Sequence, residues 1–306
     1  MSPLRVAIAP EPAPFAVEAV REGGGEVVGV DEQPEALVWL DPRDAPGVGR
    51  TVSATPTLRW VQLPFAGVEN VFEAGVIDPA LTWTCAKGSY AAPVAEHALL
   101  LALAGLRGLP GRIVAREWGT PAGITLVENR VTILGGGGIA GELIGMLTPL
   151  RTEITVVRRN PEPVPGAART LATADLHQAL AGAAVVFLAL ALSPATTGII
   201  GARELELMDE EAWLVNVARG RHVVTDDLVD ALRSGTIAGA ALDVTDPEPL
   251  PTGHPLWDLD NCIITPHTAD TYEMIVPLLA ERIRTNVGRF GRGETLVGLV
   301  DPVAGY

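Results

Sequence analysis

The 306-residue chain is short of cysteine, of positive charge and of long hydrophobic runs, and each shortage removes a class of protein. The two cysteines, Cys85 and Cys262, have no spacing that suggests a zinc site or a redox pair, so they read as reduced thiols in a reducing compartment. Twenty-two basic residues face 37 acidic ones, a formal net charge of −15. Nucleic acid and anionic membrane surfaces need a basic face, so neither is expected as a partner. An anionic small molecule stays open, provided its site makes a local positive field. The most apolar stretches, residues 98–106 and 181–192, are too short to span a bilayer. The start, Met1-Ser2-Pro3-Leu4-Arg5-Val6, moves directly into a strand-like run without the basic and apolar regions of a signal peptide. A cytoplasmic protein is expected.

What is present suits a packed enzyme: 48% hydrophobic residues, 19% charged, and no repeat or low-complexity linker. The length exceeds what one hydrophobic core usually serves, so two domains are expected. Strand and helix signals alternate throughout, the pattern of a parallel α/β protein. Strand-like runs fall at residues 4–9, 26–30, 36–40, 58–63 and 81–85, with a helix at 14–22 and a longer apolar one at 93–106. After a loop at 118–128, strands are expected at 130–134, 153–158, 184–190, 212–217, 237–244 and 262–265. Helices are expected at 139–150, 174–181, 202–208 and 225–234, and a final amphipathic one at 272–290.

The run Val131-Thr132-Ile133-Leu134 leads straight into Gly135-Gly136-Gly137-Gly138-Ile139-Ala140. Read as G-x-G-x-x-A, Gly135 permits the tight turn, Gly137 lets backbone approach a pyrophosphate, and Ala140 lets helix pack on strand. Gly138 and Ile139 open the helix, whose free N–H groups favour an anion. The spacing Gly136, Gly138, Gly141 also fits; the first frame is preferred because its leading glycine sits at the strand end. At the end of the next strand, 23 residues on, stand Arg158 and Arg159. An acid near this position would bond ribose hydroxyls, whereas an arginine pairs with a 2′-phosphate. NADP(H) is therefore favoured and NAD(H) remains an option; two solvated surface arginines are the alternative.

Downstream come, in order, Leu192-Ser193-Pro194-Ala195-Thr196-Thr197, Asn216-Val217-Ala218-Arg219-Gly220, Ala240-Ala241-Leu242-Asp243-Val244, Pro247-Glu248-Pro249, His254-Pro255-Leu256-Trp257 and Thr265-Pro266-His267-Thr268-Ala269. With Trp60-Val61-Gln62, Ala66-Gly67-Val68 and Pro93-Val94-Ala95-Glu96-His97 in the first half, this order resembles the D-isomer-specific 2-hydroxyacid dehydrogenase family, in its glyoxylate/hydroxypyruvate reductase-like branch. The resemblance implies catalytic roles for Arg219, Glu248 and His267. A histidine is the natural proton donor near neutral pH, a paired glutamate favours its charged form, and an arginine offers a two-pronged donor to a 2-keto acid. It further implies that main-chain N–H groups around Ala66 and Gly67 hold the substrate carboxylate with Lys87 nearby. Asp243 would bond the nicotinamide carboxamide, with Thr196, Val217 and Ala218 flanking the cofactor.

Three positions depart from the family pattern: Asp270 replaces a small residue, Thr245 an aromatic one, and Val127-Glu128-Asn129-Arg130 the usual Gly-Lys lead-in. Asp270 could perturb His267 or cap the helix that follows; the cap is preferred. The expected architecture is two doubly wound parallel-sheet α/β domains. A flavodoxin-like substrate domain (1–92 and 272–306) carries an inserted Rossmann cofactor domain (93–271). The expected activity is reduction of a small 2-keto acid to the D-2-hydroxy acid, in a homodimer. A phosphoglycerate dehydrogenase-like enzyme and a non-catalytic dinucleotide sensor of the same fold are the rivals, the former disfavoured because no extra domain follows Tyr306.

Overall fold

Runs of wholly buried apolar residues, such as Ala36–Trp39 and Val185–Leu188, are the mark of strands covered on both faces, and parallel sheets are built from them. The computed structural model describes residues 3–302; Met1, Ser2 and residues 303–306 lie outside the described residues. The chain divides into two units, residues 1–90 with 271–306, and residues 91–270. Ala91 and Ala92 thus go with the second unit and Thr271 with the first.

The first unit holds β1 (Leu4–Ala9), α1 (Pro14–Glu22), β2 (Gly25–Val28), β3 (Ala36–Trp39), α2 (Ala45–Ala54), β4 (Trp60–Gln62), α3 (Glu69–Glu73) and β5 (Thr82–Thr84). Its five strands are parallel in the order β2-β1-β3-β4-β5, the flavodoxin-like arrangement. Leu37, Trp39, Val61 and Trp83 from the sheet pack with Val48 of α2. A closing helix, Tyr272–Gly291, packs on α1.

The second unit comprises α4 (Ala91–Leu106), α5 (Leu109–Val114), β6 (Arg130–Leu134), α6 (Gly138–Leu147), β7 (Glu153–Arg158), β8 (Arg169–Ala172), α7 (Leu176–Leu180), β9 (Val185–Leu188), α8 (Ala202–Glu206), β10 (Trp213–Asn216), α9 (Thr225–Ser234), β11 (Gly239–Leu242) and β12 (Cys262–Ile264). The closing helix of the first unit is therefore α10. Seven parallel strands run β12-β11-β10-β9-β6-β7-β8, so strand order reverses between β9 and β6. In such sheets ligands bind beyond the carboxyl ends of the strands at that reversal.

Four elements were not expected from the sequence: α2, α3, α5 and β8. The run forming α2 contains Pro46, Gly47 and Gly49, poor helix formers in an interior. Pro46 sits in the first turn, where its missing N–H costs nothing, and the Asp44 carboxylate accepts from Gly47 N–H at 2.8 Å as an N-cap. β8 is a short edge strand without a fully buried residue, so its sequence has no apolar run to announce it.

Candidate functional site

The seven-stranded sheet gathers the expected site residues of the second unit at one edge, because all its strands are parallel and each of these residues follows a strand's carboxyl end. Gly135 follows β6, Arg158 ends β7, Thr196 lies in the loop after β9, Arg219 follows β10, Asp243 and Glu248 follow β11, and His267 follows β12.

Gly135 has φ +115°, and a Cβ there would lie 2.2 Å from the Ala189 carbonyl oxygen, so only glycine lets β6 turn against the loop after β9. Gly137 is the N-cap of α6, and a Cβ on it would meet nothing within 4 Å. Ala140 is fully buried while Gly141 is exposed, which fits the frame led by Gly135. The N–H groups of residues 136–140, Gly138 and Ile139 among them, have no hydrogen-bond partner among the described residues. Five consecutive amides with open space over Gly137 suit a pyrophosphate. The Arg158 side chain lies over this turn: a Cβ on Gly136 would be 2.9 Å from its Cδ and 3.1 Å from its Nε. Arg159 is exposed one residue beyond β7. Thr196 Oγ1 accepts from Ser193 N–H and donates to the Ala191 carbonyl, closing the loop after β9.

Arg219 is set by the turn that precedes it. Asn216, fully buried at the end of β10, accepts from Ala218 N–H at 3.0 Å and donates to the Arg219 carbonyl at 2.9 Å. That turn buries Val217 and Ala218 and leaves the Arg219 side chain half-buried. Gly220 presses on the next loop, where a Cβ would sit 2.0 Å from the Thr245 carbonyl. Glu248 lies in that loop, and its Oε1 is 2.7 Å from Nδ1 of His267. The His267 Nε2 has no hydrogen-bond partner among the described residues.

His267 has φ +49°, a left-handed conformation that a non-glycine residue adopts at a cost. Asp243 holds it there. Its carbonyl accepts from His267 N–H at 2.9 Å. Its Oδ1 accepts from Thr265 Oγ1 at 2.5 Å and Thr268 N–H at 2.9 Å, and Oδ2 from Ala269 N–H at 3.0 Å. His97 of α4 closes the group, with Nε2 3.1 Å from Thr265 Oγ1 and 3.4 Å from Asp243 Oδ1. Since Thr265 gives its proton to Asp243, Nε2 of His97 is the donor in its bond. Asp243 is only 2% exposed. Burial alone would raise its pKa, but the hydrogen bonds from His97, Thr265 and the two amides outweigh it and hold the carboxyl at about 2.

Asp270 does not cap α10. The N-cap is Thr271, which makes no side-chain capping bond. Burial raises its pKa against the pull of the His267 and Arg219 charges. Propensity favours aspartate at a helix start, but here the backbone leaves the Asp243-bound turn one residue later than that role requires. His97 and Thr265 were not expected at the site. Their signal in sequence is slight: a polar ring on the apolar helix 93–106 needs a buried partner, but nothing local identifies it.

In the first unit, Ala66 and Gly67 sit in the loop after β4. The N–H groups of residues 65–68 have no hydrogen-bond partner among the described residues. Such a run of amides suits a carboxylate. Lys87 is exposed just after β5. Among the described residues no cluster of histidine, cysteine or carboxylate is arranged to hold a metal, and no helix is long and apolar enough to cross a membrane.

The profile of the D-isomer specific 2-hydroxyacid dehydrogenase NAD-binding domain matches residues 97–269. An uncharacterized protein in the proB 3′ region of Corynebacterium melassecola is 43% identical over 255 residues, covering 81% of this chain and 84% of that protein. A D-isomer specific 2-hydroxyacid dehydrogenase from Xanthobacter autotrophicus Py2, solved with NADPH and MES, is similar over 100% of both chains, with TM-score 0.87 and 28% identity. An NADPH-dependent glyoxylate/hydroxypyruvate reductase from Sinorhizobium meliloti, solved with NADP and sulfate, shares the fold over 100% of both chains, with TM-score 0.82 and 24% identity.

The depressed pKa of Asp243 makes a prediction of definite sign. A carboxyl titrating at about 2 when folded and near 3.8 otherwise stabilises the fold above pH 4 and loses that contribution as pH falls toward 2. The loss amounts to roughly 2 kcal/mol at 1.36 kcal/mol per pH unit. In denaturant unfolding, the gap between wild type and Asp243→Asn should narrow by about that much from pH 4 to pH 2. A gap constant across this range would mean that the charge of Asp243 does not hold the turn.

Proposed function

Because the chain belongs to the D-isomer-specific 2-hydroxyacid dehydrogenase family, we propose that it is an NADP(H)-preferring reductase that converts a small 2-keto acid to the D-2-hydroxy acid. The observation that carries the reading is the His267–Glu248 pair, in which Glu248 takes Nδ1 and leaves Nε2 for a substrate oxygen. With Glu248 on Nδ1, Nε2–H faces the substrate and donates a proton to the carbonyl oxygen as it becomes an alkoxide, and the reverse reaction returns it. Arg219 stabilises the developing negative charge and orients the keto acid through its two-pronged donor. The amides around Ala66 and Gly67 bind the substrate carboxylate, and Lys87, the chain's one lysine, adds positive field.

When bound, the reduced nicotinamide supplies the hydride. Gly135, Gly137, Gly138 and Ile139 would hold its pyrophosphate, and Thr196, Val217 and Ala218 would flank its nicotinamide end. Asp243 Oδ2, which accepts a single bond from Ala269, keeps a lone pair for the carboxamide. Arg158, with Arg159 beside it, would pair with a 2′-phosphate; this preference is supported by its place over Gly136 and by the lack of an acid at the end of β7. The first unit then serves as the substrate domain and the second as the cofactor domain. The glyoxylate and hydroxypyruvate class is the preferred substrate, following the S. meliloti reductase. Two unpaired thiols accord with a cytoplasmic setting. A homodimer is also proposed: Leu100, Ile113 and Trp118 are 56%, 69% and 96% exposed within one short stretch, an apolar surface that a second copy would cover.

The test is steady-state oxidation of NADPH with glyoxylate, hydroxypyruvate, pyruvate and bulkier keto acids. Turnover is expected with the smaller acids, and His267→Ala should lower kcat by about 100- to 10,000-fold while NADPH still binds. No turnover by wild type despite tight NADPH binding would leave a dinucleotide sensor; near-wild-type turnover by His267→Ala would misplace the proton donor. Arg158→Asp should reduce the NADPH-to-NADH preference by roughly tenfold or more, and an unaltered ratio would mean that another group reads the 2′-phosphate. Sedimentation at micromolar protein should give a dimer that Trp118→Glu weakens; a wild-type monomer would sink the assembly.

A further inference from the structure

Helix α10 carries two buried polar residues on one face, Arg282 and Asn286, four residues apart. Asn286 donates to Gln62 Oε1 at 3.0 Å and to the Val297 carbonyl at 2.9 Å, and so reaches the end of β4. Arg282 reaches the end of β5. Its guanidinium donates to the carbonyls of Cys85 at 2.6 Å and Lys87 at 2.9 Å. It is 8% exposed, and no carboxylate pairs with it among the described residues. Burial lowers its pKa, yet a guanidinium starts so far above neutrality that it stays charged there. A buried cation satisfied only by main-chain oxygens is costly, and here its donors fix one short strap of backbone.

That strap in turn fixes the loop with the free amides. Tyr90 Oη donates to the Pro64 carbonyl at 2.6 Å, Ala86 N–H to the Phe65 carbonyl at 3.0 Å, and Cys85 Sγ to the Ala66 carbonyl at 3.4 Å. Three successive carbonyls are thus held by three groups of the strap. In a planar trans peptide the C=O and the following N–H point opposite ways. Holding these carbonyls turns the N–H groups of Phe65, Ala66 and Gly67 away from the strap, where they have no partner among the described residues.

We infer that Arg282 is a positioning residue for substrate binding: by clamping the Cys85 and Lys87 carbonyls it shapes the strap that aims the 65–67 amides at a carboxylate. It touches no reacting atom. The inference rests on the keto acid reductase reading and adds a residue that governs affinity for the substrate's carboxylate and leaves the proton-transfer step alone.

The test uses full-length protein with NADPH, comparing wild type with Arg282→Lys and Tyr90→Phe. Lysine keeps the charge but cannot serve both carbonyls with one fork, and the tyrosine change removes a single hydroxyl from the strap. Arg282→Lys should raise KM for the keto acid about tenfold and weaken calorimetric binding of oxalate by the same factor, with kcat and the NADPH Kd within threefold. Tyr90→Phe should move KM and oxalate affinity the same way by about threefold. Unchanged KM and oxalate affinity in both variants, with wild type active, overturns the inference alone. A fall in kcat without a rise in KM also overturns it. A wild type that neither turns over keto acids nor binds oxalate removes the underlying reading instead.

Discussion

The second unit is organised around one buried charge. An ionised carboxylate taken out of water costs several kcal/mol unless its oxygens are fully bonded, and Asp243 is 2% exposed. Its donors are Thr265, Thr268, Ala269 and, through Thr265, His97. All but His97 lie in the turn after β12, so satisfying the charge and shaping the turn are the same event. His267 sits in that turn at φ +49°, a conformation costing on the order of 1–2 kcal/mol for a residue with a Cβ. The bonds to Asp243 offset that strain and leave the ring where Glu248 meets Nδ1.

The first unit applies the same device with opposite sign. Arg282 is a buried cation whose donors end on main-chain carbonyls, and the loop it shapes exposes amides. In each unit a buried charge fixes a backbone segment at the carboxyl ends of parallel strands. The neutral clamps Asn216 and Asn286 do related work at the ends of β10 and β4. Fixed backbone is what a binding site needs, because donors already aimed lose little entropy when the ligand arrives.

Legibility in the sequence followed range. The bounds of β1, α1, β6, β7 and α9 coincide with the apolar patterns that announce them, because periodicity is a local property. The glycine turn was legible for the same reason, as strand, turn and helix are contiguous. α2 was hidden because its stability comes from the Asp44 cap and packing, against the propensity of Pro46, Gly47 and Gly49. His97 and Thr265 meet across 168 positions, Arg282 and Cys85 across 197, and Asn286 and Gln62 across 224. A single sequence shows which element such residues belong to but not what they touch. Asp270 shows the converse: a good local rule for a helix cap gave way to a turn set by a distant carboxylate.

These placements also answer a problem of charge. A chain with formal charge −15 has to attract anions if it is to work on 2-keto acids with a phosphorylated cofactor. Salt screens charges beyond about 8 Å at physiological ionic strength, so the distant carboxylates weigh less than donors about 3 Å from a ligand. Backbone amides are well suited to this, since they cannot be neutralised by proton loss or drawn off by neighbouring acids. Both free runs, residues 65–68 and 136–140, are of this kind. In the proposed function, arginine would supplement them at two places where backbone alone would not discriminate. Arg219 is held by Asn216 through its own carbonyl, and Arg158 is laid over Gly136. An acidic surface is thus compatible with anionic ligands, because the attraction is built from short-range, oriented dipoles and the net charge is left to other ends such as solubility.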